Sequence, residues 1–100
     1  MPAGRIVYTQ FLNARGGIEA DVTVTRLSET AYLVVTPAIT RPKDQAWMRR
    51  HVGDFNVVLT DVTAAEGVLA VMGPKARDLI RKVSPNDFSN EANPFGTAQE

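Results

Sequence analysis

Residues 18–27, Ile-Glu-Ala-Asp-Val-Thr-Val-Thr-Arg-Leu, alternate apolar and polar side chains with a period of two. A strand points successive side chains to opposite faces. Ile18, Ala20, Val22 and Val24 therefore look one way, and Glu19, Asp21, Thr23 and Thr25 the other. The preceding Asn13-Ala14-Arg15-Gly16-Gly17 supplies the left-handed backbone positions a hairpin needs. Residues 5–12, RIVYTQFL, are β-branched and aromatic and read as the first strand. Ser28-Glu29-Thr30 turns the chain into a third, residues 31–36, AYLVVT. Turns this short only connect antiparallel neighbours, so the three strands form a meander.

Pro37 ends the third strand, and Thr40-Arg41-Pro42 opens a helix, with Thr40 as N-cap and proline in the first turn. Trp47, Met48, His51 and Val52 cluster on it, and Gly53 stops it. Residues 56–62, NVVLTDV, read as a fourth strand. After a turn at 64–67, residues 68–72, VLAVM, are apolar throughout, as in a strand covered on both faces. Gly73-Pro74 starts a second helix, whose Ala76, Leu79, Ile80 and Val83 make a buried stripe. The expected fold is α+β: a mostly antiparallel sheet in the order βββ-α-ββ-α, with helices packed on one face. Residues 1–83 are expected to be part of a domain. Residues 84–100 are expected to be a loosely ordered tail leading into a missing remainder, with Phe88 and Phe95 able to dock it. The first strand starts almost at residue 1 and no element closes the chain, as expected of a piece of a larger protein.

Composition narrows the function. One domain is the ceiling for 100 residues. Eleven basic residues balance eleven acidic ones, unlike the basic excess of a general nucleic-acid binder. The charge is uneven: residues 1–50 carry seven Lys or Arg against four Asp or Glu, and residues 51–100 the reverse. There is no cysteine, which excludes disulfides, thiolate catalysis and zinc–sulfur sites. No apolar run approaches the roughly 18–20 residues of a membrane span. The N-terminus MPAGRIVY carries no readable signal peptide, and a cytoplasmic or mitochondrial-matrix setting is expected.

Asp21 is the residue with most chemical potential. Aspartate is disfavoured in mid-strand, yet Asp21 sits there with Glu19, Thr23 and Thr25 on its face. Spacing alone leaves two readings: a solvated carboxylate on an open face, or a group that polarises a nitrogen or shuttles a proton beneath a covering cofactor. Tyr8 and Tyr32, in the flanking strands, can stack on a flat heterocycle or serve as ordinary sheet aromatics. His51 is the only histidine and reads as a partly packed, structural one. Lys43, Arg49 and Arg50 could attract an acidic ligand tail or simply face water. Gly16-Gly17 leads into a strand, which excludes a phosphate loop.

The stretch from Tyr8 through Leu-Asn-x-x-Gly-Gly-Ile (residues 12–18) to Asp21 and the alternating residues up to Leu27 resembles a known family. It is similar to the folate-binding segment of the glycine cleavage T-protein (aminomethyltransferase) superfamily. Tyr32-Leu-Val-Val-Thr resembles that superfamily's next strand, and Gly67-Val-Leu-Ala-Val-Met-Gly-Pro-Lys-Ala-Arg77 its strand–Gly-Pro–helix segment. The resemblance runs in order through most of residues 4–83. Within the superfamily it looks closest to dimethylglycine and sarcosine dehydrogenases. Ala20 stands where the T-protein has the first of two aspartates, Asp21 keeps the second, and Val83-Ser-Pro-Asn-Asp-Phe-Ser89 also looks like those dehydrogenases.

The resemblance implies transfer of a one-carbon unit to tetrahydrofolate, giving 5,10-methylenetetrahydrofolate. It gives Asp21 the catalytic or positioning role beside the folate nitrogens, and Tyr8 a folate contact. Tyr32, Val34 and Val35 would line the same pocket. It implies FAD in a separate flavin domain of the parent chain, since no Gly-x-Gly-x-x-Gly segment is present here. The alternatives are a T-protein served by a lipoyl carrier protein, and a non-catalytic folate-binding or interaction module of the same fold. The family pocket is closed by residues lying beyond position 100, so the resemblance implies activity in the parent and none in the isolated chain.

Overall fold

A computed structural model describes residues 1–99. Its elements are β1 (Ile6–Leu12), β2 (Ile18–Arg26), β3 (Tyr32–Val35), α1 (Arg41–His51) and α2 (Ala76–Ile80). Asn13 closes the first hairpin. Its Oδ1 accepts from the backbone N–H of Arg15 at 3.0 Å and of Gly17 at 2.9 Å. Its own backbone N–H donates to the Gly17 carbonyl at 2.8 Å. Gly16 takes φ 78°, where a Cβ would be strained. This turn sets β1 antiparallel to β2, with Tyr8 opposite Thr23, Gln10 opposite Asp21 and Phe11 opposite Ala20, and with a bulge between Phe11 and Leu12. β3 pairs on the other side of β2, antiparallel, with Val35 opposite Thr23 and Tyr32 opposite Arg26.

The described chain forms two compact units: Met1–Val58 with the segment from Gly96, and Leu59–Phe95. In the first, the buried side chains are Ala20, Val22, Thr25 and Asp44. Ala20 and Val22 share the apolar face of β2, as the alternation requires. Phe11, opposite Ala20, lines a cleft with Trp47, Met48 and His51, so α1 lies over this face. The start of β1 is held from outside: the Ile6 N–H donates to the Gly96 carbonyl at 2.8 Å and the Ala98 N–H to the Gly4 carbonyl at 2.7 Å.

Thr40 occupies the N-cap position of α1, but its side chain makes no capping bond to the helix amides. Its hydroxyl donates instead to Asp44 Oδ2 at 2.7 Å. Asp44 is 1% exposed, and its Oδ1 has no hydrogen-bond partner. The Thr40 hydroxyl thus supplies a direct hydrogen bond to this buried carboxylate. Thr40→Val, which keeps the shape and removes the hydroxyl, is expected to cost about 1–3 kcal/mol, read as a lower urea midpoint. His51 ends α1, and Gly53 follows at φ 55°, the left-handed stop the sequence led one to expect.

The structure departs from the sequence expectation after residue 55. Residues 56–62 and 68–72 form no strands; the described sheet is β1-β2-β3 alone. Their composition suits strands, but a strand exists only through a ladder partner, and none is aligned with them here. Val58, Val68, Leu69 and Met72 are left more than four-fifths exposed. α2 is also shorter than its apolar stripe. It holds Ala76, Leu79 and Ile80, while Val83 lies beyond it, 80% exposed. Ser84 precedes a proline, which disfavours helical backbone there. The last turn tightens accordingly, with the Lys82 N–H on the Leu79 carbonyl and the Val83 N–H on the Ile80 carbonyl.

Within Leu59–Phe95, the Arg77 guanidinium gathers the segment after α2. It donates to the carbonyl oxygens of Phe88, Ser89 (3.3 Å) and Asn93 (3.2 Å). Phe88 is half-buried, whereas Phe95 is fully out in solvent. Among the described residues no helix is long and apolar enough to cross a membrane.

Candidate functional site

Directly opposed residues of an antiparallel pair share a face, so the registers sort every strand side chain. Asp21 and Thr23 of β2 share their face with Gln10 and Tyr8 of β1 and with Val35 of β3. Asp21 is exposed, Tyr8 is 66% exposed and Val35 46%. A carboxylate, an aromatic ring and an apolar rim thus stand together on an open sheet surface.

Tyr32 and Val34 stand on the other face. Val34 opposes Val24, and Tyr32 opposes Arg26, whose guanidinium carbon lies 5.9 Å from the Tyr32 ring centroid. Of the five residues expected to line one pocket, the structure brings Tyr8, Asp21 and Val35 to one face and turns Tyr32 and Val34 away from it. The physical reason is the period of two: Val34 and Val35 are neighbours in one strand and cannot share a face.

Gln10 is the residue the sequence reading missed. It lies directly opposite Asp21, which places side-chain Cβ atoms about 5 Å apart. Its amide can donate to a ligand oxygen or accept from a ligand N–H beside the carboxylate. Counting outward from the Asn13–Gly17 turn would set Gln10 opposite Ala20; the bulge between Phe11 and Leu12 shifts it by one residue, to Asp21, and no local signal in the sequence marks that bulge.

Glu19, two residues before Asp21 in the strand, is occupied structurally. Its Oε1 accepts from Asn13 Nδ2 at 3.1 Å and its Oε2 pairs with Lys43 Nζ at 3.2 Å. Lys43 Nζ also donates to the Glu19 carbonyl oxygen at 2.7 Å, tying α1 to β2. The Asn13 hydrogen bond, then Lys43, hold the Glu19 carboxyl below its ordinary value of 4.5. A depressed folded value contributes stability that is full above the unfolded value and fades as pH falls through the folded one. Glu19→Gln should therefore lower the urea midpoint at pH 7, and the gap to the parent chain should close as pH drops below about 4.5, the unperturbed glutamate value.

His51 is exposed, and what holds it is Trp47 on its own helix. Its Nδ1 is 2.8 Å from the Trp47 carbonyl oxygen, and its ring lies 4.3 Å from the Trp47 ring, tilted by 33°. It borders an apolar cleft of about 290 Å³ with Phe11, Trp47, Met48, Val52 and Phe55. Phe11 places that cleft on the sheet face opposite Asp21. Among the described residues no group of three or more His, Cys, Asp or Glu could hold a metal ion.

Comparison with known proteins bears on this arrangement. The whole chain, residues 1–100, matches the family model of the GCVT N-terminal domain. It is 47% identical over 88 residues to a 4-methylaminobutanoate oxidase (formaldehyde-forming) of Paenarthrobacter nicotinovorans, covering 88% of this chain and 11% of that protein. It is 38% identical over 92 residues to an aminomethyltransferase of Staphylococcus haemolyticus, covering 92% of this chain and 25% of that protein. No solved structure gives a significant match. The chain therefore spans a quarter or less of these relatives, both of which are named as enzymes. With the full-length family match and an aminomethyltransferase among its relatives, the chain belongs to the GCVT N-terminal domain family.

Proposed function

We propose that this chain is the tetrahydrofolate-facing part of an enzyme that passes a one-carbon unit from methylamine oxidation to tetrahydrofolate. The observation that carries the reading is the open face on which Asp21, Gln10 and Tyr8 meet. The residues suit a reduced pterin. A carboxylate accepts from ring N–H and amino groups, the Gln10 amide complements a ring carbonyl, and the Tyr8 ring offers a stacking surface. Folate, when bound, supplies the nucleophilic nitrogens that take up the carbon. Asp21 holds those nitrogens in place and favours positive charge beside them. Val35 borders the same face, while Tyr32 and Val34 serve the opposite one.

The 47% identity to the oxidase favours an oxidase-type parent, with FAD in a separate domain, over a lipoyl-dependent aminomethyltransferase. A visible absorption spectrum of a longer natural protein carrying this segment separates the two: a bound-flavin band supports the oxidase parent, and a colourless protein supports aminomethyl transfer. For the folate reading itself, calorimetric titration of the chain with tetrahydrofolate under anaerobic conditions is expected to give saturable binding. Absence of heat at millimolar ligand would count against the proposal.

A further inference from the structure

β1 does not carry its own register. Its apolar side chains fall on both faces: Ile6 and Tyr8 on one, Val7 and Phe11 on the other. Sliding β1 by one residue along β2 exchanges the two sets, so the pattern of this strand selects neither arrangement strongly. The turn by itself favours the regular one. The Asn13 N–H donates to the Gly17 carbonyl, and Leu12 faces Ile18. Regular continuation from there would set Tyr8 opposite Val22, Thr9 opposite Asp21 and Gln10 opposite Ala20. Tyr8 and Gln10 would then lie on the face that α1 overlies, away from Asp21.

The observed register passes over Glu19. Phe11 faces Ala20 and Gln10 faces Asp21, so Glu19 is the extra residue, on β2, of the bulge. Exposure marks the switch: Ile18 is 64% exposed and Ala20 8%. In a regular strand these two would share a face.

The grip on the extra residue comes from the helix and from the turn. Lys43 Nζ of α1 donates to the Glu19 carbonyl oxygen at 2.7 Å and pairs with Glu19 Oε2 at 3.2 Å. Asn13 Nδ2 donates to Glu19 Oε1 at 3.1 Å. These contacts are made to Glu19 as the bulge presents it. In the regular register the residue enters the ladder opposite Phe11 instead.

We infer that Lys43 is a positioning residue: by holding Glu19 out of the ladder it selects the bulged register, and so sets Tyr8 and Gln10 beside Asp21. The consequence for ligand binding rests on the proposed tetrahydrofolate function; the choice of register does not.

Cross-strand nuclear Overhauser contacts in the 100-residue chain test this. The parent chain should show contacts from Gln10 to Asp21 and from Tyr8 to Thr23. Lys43→Met keeps the aliphatic stem and removes the ammonium. It should add a second set, Thr9 to Asp21 and Tyr8 to Val22. It should also weaken tetrahydrofolate binding about tenfold, the scale of one lost charge-assisted hydrogen bond. Deleting Glu19 removes the extra residue, and a regular hairpin then pairs Phe11 with Ala20 and Gln10 with Asp21 unaided. Deletion in the Lys43→Met chain should therefore restore a single set of contacts and the parent's affinity, and folding where the substitution abolishes it. A salt bridge that only stabilised the fold would not be replaced in this way. Deletion alone should keep the contact from Gln10 to Asp21. A single, bulged register in Lys43→Met, no rescue by the deletion, or loss of the Gln10–Asp21 contact on deletion alone would each overturn the inference. A parent chain that binds no tetrahydrofolate would overturn the folate function, and the contacts would still decide the role of Lys43.

Discussion

Asp21→Asn is expected to weaken tetrahydrofolate binding at least about tenfold while leaving the unfolding free energy within about 0.5 kcal/mol of the parent chain's. The two halves of this expectation have separate causes. Asp21 is exposed on an open sheet face, so an isosteric amide disturbs no packing. On the ligand side, the change removes the charge and turns one acceptor oxygen into a donor. A ligand N–H that faced the carboxylate then faces an N–H. Hydrogen bonds to charged groups are worth about 1.5–3 kcal/mol, and about 1.4 kcal/mol is a factor of ten. Gln10→Leu should lose less, because it removes a neutral partner. Equal binding by Asp21→Asn and the parent chain would remove Asp21 from the site.

Val22→Asp should have the largest effect on folding. Val22 is 2% exposed on the face of β2 that α1 overlies, with Thr9 opposite it. An ionised carboxylate there gains no positive partner, and an uncompensated buried charge costs about 3–5 kcal/mol. A chain of this length has only about 5–15 kcal/mol of stability in total. The expected result is a fall in Tm of at least about 12 °C or loss of a cooperative transition. Ile39→Asp, at a 92% exposed position, is the control and should shift Tm by no more than a few degrees. An unchanged Tm in Val22→Asp would mean that this face of β2 is not the core.

The first 55 residues were legible because local signals there agree with one another. The Asn13–Gly17 turn, the alternation from Ile18 and the Pro37 stop each act within a few residues, and the hairpin, β2 and β3 follow from them. The face of a single residue was harder. The family resemblance groups Tyr32 and Val34 with Asp21, but only the register decides which side a neighbouring strand's residue presents. Asp44 was also unreadable. An acid in the first turn of a helix normally faces water, and its burial depends on how α1 is set down. Residues 56–72 show the limit most clearly. Their composition is that of strands, yet pairing is a property of two segments, and a sequence window contains one. The presence of an acid at position 21 was visible in the sequence; its pairing with Gln10 was not.

A two-dimensional amide NMR titration of the chain with tetrahydrofolate locates the bound ligand directly. The largest shifts are expected at Tyr8, Gln10, Asp21, Thr23 and Val35, which share one sheet face. Little change is expected around Trp47 and His51, whose cleft lies on the other face. Shifts concentrated at Trp47, His51 and Phe55, with Asp21 and Gln10 unmoved, would contradict a site on the Asp21 face.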